Sequence, residues 1–147
     1  GYVSTFAAQA RTPDLLLLKD GIRNIALDRT LEMKITNDRF LMPKDFDAEE
    51  YYSNTVGIFV NEKLKPQNVV IRAFGIQTEY MRALPLHFSQ KEICTKRNEY
   101  SDFQYWVCLT PELMSQLLAM GEKVEVLEPQ ELREEIKRRY SAALERY

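Results

Sequence analysis

Asn68-Val-Val-Ile-Arg-Ala-Phe74 is the stretch on which the fold turns. Its β-branched and aromatic residues predict a strand. Gly75 then releases the chain into Ile76 to Leu84, where Ile76, Tyr80, Met81 and Leu84 are expected on one helical face. Pro85 stops that helix. Glu92 to Arg97 and Asp102 to Leu109 alternate like strands around the polar turn Asn98-Glu-Tyr-Ser101, so an antiparallel hairpin is expected. A second helix follows at once, with Thr110 as side-chain N-cap and Pro111 at the first helical position. Its apolar stripe is Leu113, Met114, Leu117 and Leu118, and Gly121 stands where a helix C-terminus needs a residue with positive φ. Lys123 to Leu127 reads as the last strand.

Two strand-helix-strand halves joined by a hairpin predict a ferredoxin-like βαββαβ domain, an antiparallel sheet with both helices on one face. Its expected extent is 66–147, including a final helix that begins at Glu128-Pro-Gln-Glu-Leu-Arg-Glu-Glu-Ile136. Leu132, Ile136, Ala143 and Leu144 give that helix an interrupted apolar stripe, and its charge run reads first as a solvated face. Residues 46–65 read as a connector, with Asp47 capping a short helix through Tyr52 and Gly57 to Leu64 a short strand or loop.

Residues 1–45 read as an antiparallel meander. Leu15-Leu-Leu-Leu18 is a short buried strand, Ile22 to Leu27 alternates, and Leu31 to Thr36 gives one more strand. Tyr2-Val-Ser-Thr-Phe6 reads like the middle of a strand, so the chain is expected to be a piece of a longer protein. The fold class is therefore α+β, a small antiparallel barrel remnant followed by the βαββαβ domain.

The sequence has 147 residues, 45% of them hydrophobic, which is enough for a real core and argues against disorder. A formal charge of −2 argues against a chain whose main business is coating nucleic acid, although a local basic patch is compatible with it. No window approaches the ~18 apolar residues that cross a bilayer, and the N-terminus has no signal-like core, so a cytoplasmic location without membrane contact is expected. Cys94 and Cys108 lie on the two hairpin strands out of register, so two buried reduced thiols are expected rather than a disulfide. The single histidine, His87, has no partner at metal spacing, and no phosphate-cradling glycine loop or nucleophile elbow occurs. No catalytic residue, metal or cofactor is expected, and the chain does not read as an enzyme.

Arg23-Asn-Ile-Ala-Leu-Asp-Arg29, followed by Phe40-Leu-Met-Pro-Lys-Asp-Phe46, resembles the end of a WYL domain, with Thr30 where an Ile is usual. Tyr2-Val3 resembles the last two positions of the Trp-Tyr-Leu signature. Val69-Val-Ile-Arg-Ala-Phe74, Leu84-Pro-Leu-His-Phe-Ser-Gln-Lys91 and Val124-Glu-Val-Leu-Glu-Pro-Gln-Glu-Leu-Arg133 resemble the C-terminal extension that follows WYL domains, called WCX. The resemblance implies an Sm-like WYL barrel over 1–45, the ferredoxin-like extension over 66–147, and a bacterial, cytoplasmic, homodimeric transcriptional regulator. It also implies a nucleotide or single-stranded nucleic acid as effector. Duplex DNA would be bound only through an N-terminal helix-turn-helix that this sequence lacks, so site-specific duplex binding is not expected of this chain. The competing function class is an interaction or dimerisation module with no small ligand.

The candidate ligand-binding residues are Tyr2, Arg23, Arg29, Arg72 and His87. Arg23 projects from the more apolar face of its strand, where a guanidinium needs an anionic partner, either a ligand phosphate or an internal acid such as Asp28 or Asp45. Arg29 poses the same choice. Arg72 lies mid-strand among apolar residues, and Tyr105 or Trp106 together with Lys96 would join it on a helix-free sheet face, unless those aromatics are core or interface. His87 sits in a polar segment where bracing a loop is the alternative to ligand contact.

Overall fold

A computed structural model describes residues 2–10, 30–41, 47–57, 59–61 and 63–147. The chain divides into two compact units, Gly1–Asp47 and Ala48–Tyr147. In the first, β1 (Tyr2–Ala10) pairs antiparallel with β2 (Thr30–Leu41), Tyr2 opposite Leu41, with register shifts between Ser4 and Phe6 and between Gln9 and Ala10. The sequence expectation of a strand over Leu31 to Thr36 is met by a longer strand. The strands expected at Leu15–Leu18 and Ile22–Leu27, and the arginines Arg23 and Arg29, lie outside the described residues.

The second unit runs α1 (Ala48–Tyr52), β3 (Gln67–Phe74), α2 (Ile76–Ala83), β4 (Lys91–Lys96), β5 (Tyr100–Val107), α3 (Pro111–Met120), β6 (Val124–Glu128) and α4 (Gln130–Leu144). Its four strands form one sheet in the order β4-β5-β3-β6, with every neighbouring pair antiparallel. The architecture is α+β. The turn between β4 and β5 comes one residue earlier than the polar signal suggested, with Asn98 in the left-handed region at φ 64°.

Strand alternation decides which face is core. Val69, Ile71 and Ala73 of β3, Phe103, Tyr105 and Val107 of β5 and Val126 of β6 all join one buried cluster. Met81 of α2, Leu113 and Leu117 of α3, and Leu132 and Ile136 of α4 complete it. The three helices therefore cover the same side of the sheet. Thr110 caps α3 by accepting the Leu113 N–H at 3.2 Å, Pro111 follows at the first position, and Gly121 ends the helix at φ 60°, as the sequence pattern predicts.

The segment before β3 is fastened to this core. Val56 is buried in the cluster, the Cys108 N–H donates to the Asn54 carbonyl at 2.7 Å, and the Phe59 N–H donates to Glu112 Oε2 at 2.7 Å. Gly57 lies at φ 87°, where a residue with a side chain is strained, and the Glu112 carboxylate occupies the space beside it. Residues 48–65 thus belong with the second unit.

Two expectations are corrected, and the alternative left open for Tyr105 is decided. Ile76 and Tyr80 of α2 and Leu84 at its C-cap are exposed at 66%, 61% and 80%, and the buried residues of that helix are Thr78 and Met81. The Thr78 hydroxyl donates to the Ala73 carbonyl and fixes this rotation. Cys94 is exposed, and only Cys108 is buried; both thiols are free. Tyr105 points into the core, where its hydroxyl donates to Gln90 Oε1 at 2.7 Å and burial pushes its pKa well up. On the helix side of β4, Arg82 grips Glu92 with a forked bond that holds the Glu92 carboxyl down at about 2.

Candidate functional site

The other parity of β3 and β5 makes a face on which none of the helices α2, α3 and α4 packs. Register places Phe74 opposite Tyr100, Arg72 opposite Asp102, Val70 opposite Gln104 and Asn68 opposite Trp106. On β4, Lys91 lies opposite Gln104, Cys94 opposite Asp102 and Lys96 opposite Tyr100. Trp106 is 54% exposed and Phe74 38% exposed, whereas Val70 and Asp102 are buried. At ~3.3 Å per residue, Tyr100 and Trp106 stand about 20 Å apart along one strand, room for several stacked planar groups.

Arg72 organises this face. Its Nε and Nη2 donate to the two oxygens of Asp102 at 2.7 and 2.9 Å, a bidentate pair, and its guanidinium carbon lies 3.8 Å from the centre of the Tyr100 ring. The forked bond to Asp102, helped by the nearby Asp102, Tyr100 and Glu125 charges, raises the Arg72 pKa still further despite desolvation. On the far side of Arg72, Glu125 lies opposite it on β6 and is itself bound by Arg133 at 2.8 Å. A line of alternating charge therefore crosses from β5 through β3 and β6 to α4. Beside it runs a line of amides: Gln104 Nε2 donates to Asn68 Oδ1 at 2.7 Å, and Asn68 Nδ2 donates to Glu128 Oε2 at 2.8 Å.

The free charge is small. Asp102 occupies the fork of Arg72, and Lys96 pairs with Glu99 at 2.7 Å. Lys91 forms no ion pair among the described residues. Among the described residues the face thus offers exposed rings, oriented amides and one unpaired ammonium, a set better suited to stacking and edge recognition of a planar polar group than to clamping several phosphates.

His87 sits apart from Arg72, in the loop between α2 and β4. Its Nδ1 accepts the Ser89 N–H at 3.2 Å and lies 2.8 Å from Ser89 Oγ, which accepts the Trp106 N–H at 3.0 Å. With Nδ1 an acceptor, the neutral ring carries its proton on Nε2, which is buried and finds no well-formed hydrogen bond among the described residues. His87 therefore braces the loop that holds the Trp106 end of β5. Burial lowers its pKa below the ordinary 6.5. A lowered folded-state pKa means that the unfolded chain binds the proton more readily, so stability is full above 6.5 and falls as the pH drops below it. In urea, the unfolding midpoint is expected to decrease between about pH 7.5 and 5.5, a range above the ordinary carboxylate pKa values. Because the chain has one histidine, His87→Gln should flatten that dependence; an unchanged slope in the variant would remove His87 as its source.

Of the residues singled out in the sequence, Tyr2 opens β1 of the first unit, and Arg72 and His87 lie in the second on different elements. Lys96 and Trp106 join Arg72 on the helix-free face, and Tyr105 does not. Sequence reasoning missed Asn68, Tyr100, Asp102, Gln104 and Lys91. The signal for Asn68, Tyr100, Asp102 and Gln104 was the even-numbered parity they share with Arg72 on β3 and β5, and Lys91 joins them through the pairing of β4 with β5; both become visible only once the register of the strands is known.

No described residues form a group of three or more His, Cys, Asp or Glu able to hold a metal, and no described helix is long and apolar enough to cross a membrane. The family model of the WCX domain matches residues 66–144. No curated protein matches the chain.

Proposed function

The chain belongs to the WCX family, the C-terminal extension of WYL-type regulators, and on that premise we propose that it is the effector-responsive region of a cytoplasmic DNA-binding regulator. In this reading it binds rather than catalyses. The sheet order β4-β5-β3-β6 with helices on one side fits the ferredoxin-like arrangement, and the first unit fits the end of an Sm-like WYL barrel. The effector is a nucleotide or a short single strand of nucleic acid. The helix-free face of the second unit would contact it.

The observation that carries this reading is the exposed Trp106 on a sheet face furnished with Tyr100, Arg72 and the Asn68–Gln104 amides. Aromatic rings on an open antiparallel sheet stack bases, and amides read base edges. Lys91, unpaired among the described residues, adds a cation for a phosphate.

A second reading has its own support. Ile76, Tyr80 and Leu84 put exposed apolar surface along α2, as expected of a subunit contact in a homodimer that binds no ligand. Native mass spectrometry of the gently purified regulator separates the two readings. The first predicts a mass excess of nucleotide or oligonucleotide size that is lost on denaturation. A dimer at bare polypeptide mass, even after incubation with mixed nucleotides and oligonucleotides, would favour the second.

A further inference from the structure

We propose that the cleft between α4 and β6, which meets the sheet face at the Glu125–Arg133 pair, is a binding site for a small amphipathic carboxylate. The cleft has a volume of about 370 Å³, within the range of small-ligand sites. Leu117, Val126 and Ile136, all buried, give it an apolar floor, and Val124 and Leu144 extend its walls. Helix α4 reaches it with Arg133, Ile136, Lys137, Tyr140, Ser141 and Leu144, which recur at intervals of three and four and so form one stripe. That stripe is core at Ile136 and leaves the core at Leu144, which is 75% exposed. Tyr140 holds the outer half of α4 in place, donating its hydroxyl to the Leu118 carbonyl at 3.1 Å.

The charges at the mouth select the ligand. Glu125, the cleft's one carboxylate, is bound by Arg133, whose Nη1 also donates to the Val126 carbonyl at 2.6 Å. These two charges cancel. Arg138 and Arg139 are both held by Glu135, whose carboxyl their bonds bring down to about 2. Lys137 forms no ion pair among the described residues, and the Ser141 hydroxyl makes no hydrogen bond among them. One uncancelled ammonium and one free hydroxyl above an apolar floor match a single carboxylate with a hydrocarbon body. A multiply charged phosphate would find only one cation, and a neutral hydrocarbon would leave the ammonium unused.

The test is titration of octanoate into the 147-residue chain, followed by amide chemical shifts, beside octan-1-ol and octylammonium. Octanoate is expected to saturate shifts at 124–126 and 137–144. Lys137→Gln, an exposed substitution that leaves the core intact, should weaken it about fivefold. Lys123→Gln, outside the cleft, should change nothing, and octan-1-ol should not distinguish wild type from Lys137→Gln. The proposal fails if octanoate leaves these amides unmoved, if octylammonium binds as well as octanoate, or if Lys137→Gln keeps full affinity. It also fails if the same amides shift on simple dilution of the ligand-free protein, which would assign the cleft to a second copy of the chain.

Discussion

Replacing Arg72 by methionine is expected to lower the free energy of unfolding by about 2–4 kcal/mol. Breaking a buried ion pair strands the surviving charge, here Asp102, whose side chain is 9% exposed in the middle of β5. The partial exposure of the Arg72 side chain, 26%, puts the expected cost below that of a fully enclosed pair. Loss of the guanidinium from the Tyr100 ring adds to the effect. The double variant Arg72→Met with Asp102→Leu removes both charges and should recover most of the loss, because an apolar pair of similar volume replaces a desolvated ionic one. Arg72→Lys should recover little, since an ammonium cannot reproduce the two-oxygen fork. Urea unfolding of the wild type, Arg72→Met, Asp102→Leu and the double variant measures this cycle directly. Additive single and double effects would show that the pair contributes no coupling.

The second large effect belongs to Trp106. Its ring is 54% exposed, so Trp106→Ala should disturb folding little. If the ring stacks a base, the same change should cost roughly 1–3 kcal/mol of binding to a single-stranded oligonucleotide, or about 5- to 150-fold in affinity. Fluorescence anisotropy of a labelled oligonucleotide reads this loss. Trp106→Phe should recover part of it by restoring a smaller stacking surface, which a merely structural role at an exposed position would not explain.

The parts of this fold legible in the sequence are those governed by local chemistry. Thr110, Pro111 and Gly121 punctuate α3 because capping, φ restriction and positive φ act within a few residues. The run Val69 to Phe74 declares a strand for the same reason. The rotation of α2 was not legible, because its eight residues offer two short stripes and a tertiary contact, Thr78 to the Ala73 carbonyl, chooses between them. Nor could the sequence say which of the adjacent Tyr105 and Trp106 faces the core. That depends on the register of β5 against β3 and on Gln90 being placed to receive the Tyr105 hydroxyl. Arg72 was recognisable as an anomaly in an apolar strand, but its partner lies thirty residues away in the chain and becomes a neighbour only through strand pairing.

The proposed contact between the helix-free sheet face and a nucleotide or single-stranded effector has a built-in reporter, because Trp106 is the only tryptophan in the chain. Its emission can be followed while single-stranded oligonucleotides and mononucleotides are added to the wild-type protein. A saturable quench is expected that follows the binding measured by anisotropy and weakens in Arg72→Met where that variant remains folded. Tight binding with unchanged Trp106 emission would place the ligand elsewhere and contradict the assignment of this face.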